Sequence, residues 1–190
     1  MKRAIRRAEE ETCEMEHTND FFLVRRARDG DEEACEKLVK KYYPSIYQYC
    51  LLHISDRYEA QDLTQEVFTS FFANLSRYRE YGKAKNYLYT IAANTTKNYY
   101  KKKKDFPVEK IPESGQKNSE EMSGRLEIEQ AVRNLPEEIR ETAILFFFQE
   151  LKQKEIANLL HISLSLVKYR IGRARELLKE ELEVEDDEKI

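Results

Sequence analysis

Between Ser163 and Arg175 the chain sets Ser165, Lys168, Tyr169, Arg170 and Arg173 among the apolar residues Leu166, Val167 and Ile171. Lysine and arginine neutralise phosphates, and an arginine fork can grip guanine through two hydrogen bonds. The surrounding segment, 153–174, reads QKEIANLLHISLSLVKYRIGRA. Ile156, Ala157 and Leu160 form one apolar face, with Ala157 small enough to let a second helix cross closely. His161 and Ile162 make a turn, Ser163 is a natural N-cap, and Val167, Ile171 and Ala174 fall at inward spacing. This is the frame of a helix-turn-helix. Its second helix enters the major groove with Ser163, Ser165, Leu166, Lys168, Tyr169, Arg170 and Arg173 available to bases and phosphates. The competing reading is a plain helical hairpin with a charged solvent face; cap, small residue and inward spacing all agree on the first. Such turns favour glycine where His161 stands, and histidine tolerates a left-handed backbone better than most residues.

A second basic constellation follows Tyr99 and Tyr100: Lys101, Lys102, Lys103 and Lys104. Such a run is either a solvated helix end or a nucleic-acid face beside tyrosines on one helix. Asp62 and Glu66 are the acids spaced to share a helix face, and they lack a complete ligand set, since His53 is a lone histidine on a different element. No Walker loop or GxGxxG occurs, so no nucleotide site is expected. Cys13, Cys35 and Cys50 have no CxxC spacing, which fits unpaired thiols in a reducing cytoplasm and gives no metal site. No cofactor is expected.

The elements that must carry these groups are helices. Only 5 Gly and 4 Pro in 190 residues argue against a many-stranded sandwich or barrel. No apolar run approaches the roughly 20 residues of a membrane span, and the charged start of the chain is no secretory signal. The net charge of −3 hides its distribution. Residues 1–104 carry 20 basic and 16 acidic side chains, whereas 183–190 carry 1 and 5. The stretch 105–125 holds Pro107, Pro112, Gly115 and Gly124 and reads as a flexible linker. The expected organisation is all-α: an N-terminal extension (1–18), frayed or disordered, a first helical domain (19–104), the linker (105–125), a helix-turn-helix domain (126–182) and a solvated acidic tail (183–190).

Within the first domain, Asp20 is placed to cap a short helix that Gly30 closes, and Asp31 to cap the next. Pro44 should kink or split that second helix. Asp56 opens a third, with Glu59 in capping-box position and an apolar stripe of Leu63, Val67, Phe68, Phe71, Phe72 and Leu75. A fourth runs from about Asn86 to Lys104, with Leu88, Ile91, Ala92 and Thr95 inward. After the linker come a short helix to Leu135 and another from Pro136 through Phe146, Phe147 and Phe148.

Leu135-Pro136 with Arg140, Lys154-Glu155-Ile156-Ala157, Ile162-Ser163, Val167-Lys168 and Arg173-Ala174-Arg175 resemble the C-terminal DNA-reading domain of bacterial RNA polymerase sigma factors. The type is the compact extracytoplasmic-function (ECF) group of the sigma-70 family. The first domain agrees independently. Ala27-Arg28-Asp29-Gly30-Asp31 followed by Leu38 and Tyr42 is similar to its start. Asp62-Leu63-Thr64-Gln65-Glu66-Val67-Phe68 resembles the polymerase-binding helix, and Tyr87-Leu88-Tyr89-Thr90-Ile91-Ala92-Ala93-Asn94 the promoter-opening helix.

The resemblance implies a non-catalytic subunit that binds core RNA polymerase, on its beta-prime clamp and beta subunit, and directs it to promoters. Asp62, Gln65, Glu66 and Thr69 would meet the clamp, on the outer side of the stripe. Tyr78, Tyr81, Tyr87, Asn94, Lys97, Asn98, Lys101 and Lys102 would handle the melted −10 element; the helix-turn-helix would read the double-stranded −35 element. An anti-sigma factor is a further implied partner. Tyr87 stands where the family usually has tryptophan, Asn98 where it has aspartate, and Leu166 where it has threonine or serine. A DNA-binding regulator that does not join polymerase would keep Ser163–Arg175 but have no use for Asp62–Phe68 beyond packing. A helical hydrolase would need Asp62, Glu66 and His53 to converge.

Overall fold

The computed structural model describes residues 20–54, 56–79, 84–105 and 120–187, and all regular structure among them is helical. Helix α1 (20–28) ends at Gly30, whose φ of +88° is a conformation glycine takes without a Cβ clash. Asp20, expected to cap α1, is itself a helical residue of it. It is buried, and its carboxylate accepts from Lys41 at 2.8 Å and from the Tyr42 hydroxyl, tying α1 to the next helix.

That helix, α2 (Glu32–His53), is capped by Asp31, which accepts from the Ala34 amide at 3.1 Å. Pro44 does not split it. A proline inside a helix costs about 3 kcal/mol. Against that, the face bearing Leu38, Tyr42, Ile46, Tyr49, Cys50 and Leu52 is buried, and each large apolar side chain contributes roughly 1.5–3 kcal/mol. Helix α3 (Arg57–Ala73) begins at Asp56, which accepts from the amides of Tyr58 and Glu59 as the capping arrangement predicts. Its buried face carries Leu63, Thr64, Val67, Phe68 and Phe71. Helix α4 (Ala84–Asp105) lies against α2 and α3 and buries Leu88, Tyr89, Ala92, Thr95 and Thr96.

Helix α5 (Glu120–Asn134) starts inside the stretch read as linker, and α4 runs to Asp105, so helical backbone covers both ends of 105–125. Helix α6 (Glu137–Ala143) follows Pro136. The expected continuation of α6 is instead a π-helical turn, Ile144–Phe148, closed by the Gln149 amide bonding the Ile144 carbonyl at 3.1 Å. The wider turn keeps Ile144 and Leu145 inward while Phe147 stays exposed. The helix-turn-helix consists of α7 (Gln153–Leu160) and α8 (Leu164–Asp187). Helical backbone continues to Asp187, into the segment expected to be a disordered acidic tail.

The two halves are not separate bodies on a tether. One buried core unites Leu38, Ile46, Tyr49, Phe71, Leu88 and Tyr89 with Val132, Ile144, Leu145, Ile156 and Val167. A smaller cluster of Leu135, Ala143 and Ala174 anchors α6 to α8. The N-terminal extension and most of the linker lie outside the described residues.

Candidate nucleic-acid and polymerase interfaces

On α3 the inward and outward sets separate cleanly. Asp62, Gln65, Glu66 and Thr69 are all exposed, directly opposite the buried Leu63, Val67 and Phe71. This is an acidic and polar strip on a rigidly backed helix, the arrangement that lets one helix pack inward and bind outward.

On α4, Asn94, Lys97, Asn98, Lys101 and Lys102 are exposed. Their spacing of three and four residues puts them on one face, with Tyr87 two turns earlier on the same side. From Tyr87 to Lys101 this strip runs roughly 21 Å at 1.5 Å per residue. Tyr87 is half-buried and stacks on Tyr78, ring centroids 4.4 Å apart and planes 8° from parallel. Its other neighbour is Phe71, at 5.8 Å. The turn that carries Tyr78 is held by Arg28, which donates to the carbonyls of Leu75 at 3.2 Å and Tyr78 at 2.5 Å. Arg28 is a positioning residue that no local spacing pattern marks. Tyr99 and Tyr100 face inward, donating to Glu59 and to the His53 carbonyl. Tyr81 lies outside the described residues.

In the helix-turn-helix, Val167, Ile171 and Ala174 are buried as the spacing predicts. His161 takes the left-handed conformation at φ 54°, ψ 41°, and the Ile162 amide closes the turn on the Ala157 carbonyl at 3.1 Å. Ser163 caps α8 by accepting from the Leu166 amide at 3.2 Å, and its hydroxyl lies 3.0 Å from that of Ser165. Both serines, Lys168 and Tyr169 are exposed, Tyr169 by 65%. Arg173 is half-exposed and paired along the helix with Glu176 at 2.9 Å; that hydrogen bond raises its already high pKa.

Arg170 departs from the outward set. Its side chain is 12% exposed and donates to Glu138 of α6 at 2.6 Å. The spacing carried this information: position 170 lies three residues after Val167 and four before Ala174, on the edge of the inward face. Leu166 is likewise only partly exposed. Arg175, outside the expected set, lies over the rings of Phe146 and Phe147 at 5.9 and 5.6 Å.

His53 does not join Asp62 and Glu66. Its Nε2 is 3.0 Å from Glu141 of α6, and the same carboxylate accepts the Tyr49 hydroxyl at 2.7 Å. Burial acts to raise the Glu141 pKa, but hydrogen bonds and charge from His53, Tyr49 and Arg140 outweigh it, leaving it below the ordinary 4.5. Burial pushes the Tyr49 phenol well above 10, which keeps it a donor.

The Sigma-70 region 2 family profile matches residues 38–106, and Sigma-70, region 4 matches 125–178. The ECF RNA polymerase sigma factor SigW of Bacillus subtilis is 30% identical over 179 residues, spanning 84% of this chain and 94% of the relative. The RNA polymerase sigma-H factor of Pseudomonas aeruginosa is 30% identical over 181 residues, spanning 86% and 94%. The fold is shared with CnrH, solved in complex with the cytosolic domain of CnrY, at a TM-score of 0.71 and 22% identity over 87% of this chain and 98% of that one. It is also shared with the sigma factor RpoE of Bartonella quintana, solved with the anti-sigma factor NepR, at a TM-score of 0.65 and 20% identity over 78% and 96%. With both sigma regions in order on one all-helical chain, the protein belongs to the sigma-70 family of RNA polymerase sigma factors, in its extracytoplasmic-function group: it is a polymerase-binding sigma factor that directs transcription initiation.

Proposed function

We propose that three exposed strips divide the work of initiation. The α3 strip, Asp62, Gln65, Glu66 and Thr69, docks on the beta-prime clamp of core polymerase, while the helix-turn-helix domain sits near the beta subunit. Lys168, Tyr169, Arg173 and the two serines at the start of α8 read the −35 duplex. The α4 strip, Asn94, Lys97, Asn98, Lys101 and Lys102, tracks the −10 backbone, and the Tyr78–Tyr87 pair with Tyr81 offers ring faces to an unstacked base. Binding of the separated strand supplies the free energy of melting, so the subunit is non-catalytic. The domains divide at 19–104 and 126–182, and the protein works in the bacterial cytoplasm. No helix among the described residues is long and apolar enough to cross a membrane.

The observation that supports this reading best is the pairing of exposed cations with buried apolar faces on α4 and α8, one in each half. Because one structural neighbour was solved with the anti-sigma factor NepR and another with the cytosolic domain of CnrY, an anti-sigma factor is the third proposed partner. Transcription by core polymerase and this chain on a random promoter library tests the assignment. Enriched promoters with two conserved elements are expected, and Lys168→Ala is expected to relax or weaken the upstream one. Transcripts that do not depend on the chain would overturn it.

A further inference from the structure

Helix α1 is fastened to α2 at both of its ends. Near its start, Lys41 and Tyr42 donate to the buried carboxylate of Asp20. Near its end, Arg26 donates to Asp31 at 2.7 Å and to Glu33 at 3.1 Å. Leu23, Val24 and Ala27 along it are buried. Arg28, the last residue of this clipped helix, reaches instead across 47 and 50 residues of sequence to the turn that follows α3. Its Nε donates to the Leu75 carbonyl at 3.2 Å and its Nη2 to the Tyr78 carbonyl at 2.5 Å. Both bonds come from the planar fork of one guanidinium, a geometry that a point charge does not reproduce.

The fork falls where the chain needs a cation. The last carbonyls of a helix have no partner within it and favour positive charge. The last turn of α3 has no basic residue of its own. Locally the turn is held by the Arg77 and Tyr78 amides on the Asn74 carbonyl, at 3.0 and 3.1 Å, and by the Asn74 side chain on the Ser70 carbonyl at 2.9 Å. Those bonds do not use the Leu75 or Tyr78 carbonyl, and Arg28 supplies their donor from another helix.

What the turn positions is a ring. Tyr78 stacks on Tyr87 of α4 with centroids 4.4 Å apart, and Phe71 of α3 lies 5.8 Å beyond Tyr87. Phe71 is fully buried, so this aromatic column is rooted in the core. Tyr87 and Phe71 are fixed by their helices, whereas Tyr78 is fixed by its turn. A base that joins the column therefore meets Tyr78 in a position that Arg28 determines.

We propose that Arg28 is a positioning residue for promoter opening: through the Leu75 and Tyr78 carbonyls it holds Tyr78 where an unstacked −10 base is captured. The proposal rests on the assignment of the Tyr78–Tyr87 pair to that base made above. Its effect falls on the step at which capture of the base competes with re-pairing of the duplex, because a ring already held in place loses less freedom when the base arrives. The other role open to an exposed arginine, a direct phosphate contact, would not run through Tyr78.

Full-length variants with core polymerase test it, on a promoter that this chain enriches from the library and with a fluorescent base analogue in the −10 element. Arg28→Ala is expected to slow opening of the duplex promoter about fivefold, the order set by two solvent-exposed hydrogen bonds, with core binding unchanged. On a template whose −10 element is already unpaired by mismatches, transcription by the same variant is expected to stay near the wild-type level, because capture no longer competes with re-pairing. Tyr78→Ala is also expected to slow opening, and Arg28→Ala to add nothing in that background. Should Arg28→Ala lower helix content, Arg28→Lys carries the same test, since it keeps stem and charge and loses the fork. Equal losses on both templates, an undiminished effect of Arg28→Ala in the Tyr78→Ala chain, or an unchanged opening rate overturns the proposal. Wild-type opening by Tyr78→Ala and Tyr87→Ala chains would instead overturn the assignment of the pair beneath it.

Discussion

Asp62 and Glu66 are exposed on a helix whose opposite face is buried, so their removal should separate binding from folding. The double change to alanine is expected to weaken core-polymerase binding by at least about tenfold while leaving the melting temperature within about 1 °C. Titrating core enzyme against labelled protein, with a thermal melt alongside, checks both. Glu141 gives a pH prediction. Its pKa lies below the ordinary 4.5, so its contribution is complete at neutral pH and is lost as pH falls through the depressed value. Glu141→Gln is therefore expected to flatten the loss of stability seen in urea titrations as pH falls below the ordinary carboxylate range. The exposed acids were legible in the sequence because helical spacing separates them from Leu63 and Val67. The Glu141 partners were not, because His53 lies on another helix of the other half and no local periodicity joins them. Arg170 sits between these cases: its inward-edge position was written in the spacing, but its charge suggested an outward role.

At the scale of the element, α8 and the turn before it carry two local conflicts. His161 holds a left-handed backbone that costs a residue with a Cβ roughly 1–2 kcal/mol. His161→Gly should recover about 1 kcal/mol, read as a higher melting temperature, with α8 otherwise unchanged. Gly172 stands in the helix interior with nothing within 4 Å of an added Cβ. Gly172→Ala should therefore stabilise α8 by about 0.5–1 kcal/mol. Lys168 and Arg170 should part company. Lys168→Ala should leave stability alone and reduce the salt dependence of DNA binding by about one phosphate contact. Arg170→Ala should mainly loosen the α6–α8 contact made through Glu138. Melts and binding titrations at several salt concentrations distinguish the two. The frame of cap, turn and inward apolar residues was readable because each signal is local. The π-helical turn was not, since Phe146, Phe147 and Phe148 fit an α-helix equally well, and docking against the first half decides their register. Pro44 leaves α2 unsplit for a related reason: one missing amide matters less than the buried face on either side of it.

At the scale of the whole molecule, the net charge of −3 describes neither DNA-facing surface. Cations gather on α4 and on the 168–175 stretch of α8, while acids hold α3, the Glu141 contact and the end of α8. The order of the two halves and their all-helical character were readable in composition and motifs. Their packing into one closed body was not, because it depends on contacts between residues as far apart as Tyr49 and Glu141. The central claim, that this chain confers promoter-directed initiation on core polymerase through surfaces on both halves, is tested most directly by reconstituted transcription. Core enzyme with the wild-type chain is expected to give discrete promoter-specific transcripts. These should be lost with the Asp62 and Glu66 double change and selectively weakened by Lys97→Ala with Lys101→Ala or by Lys168→Ala with Arg173→Ala. Transcripts of equal yield from all of these variants, or from core enzyme alone, would contradict it.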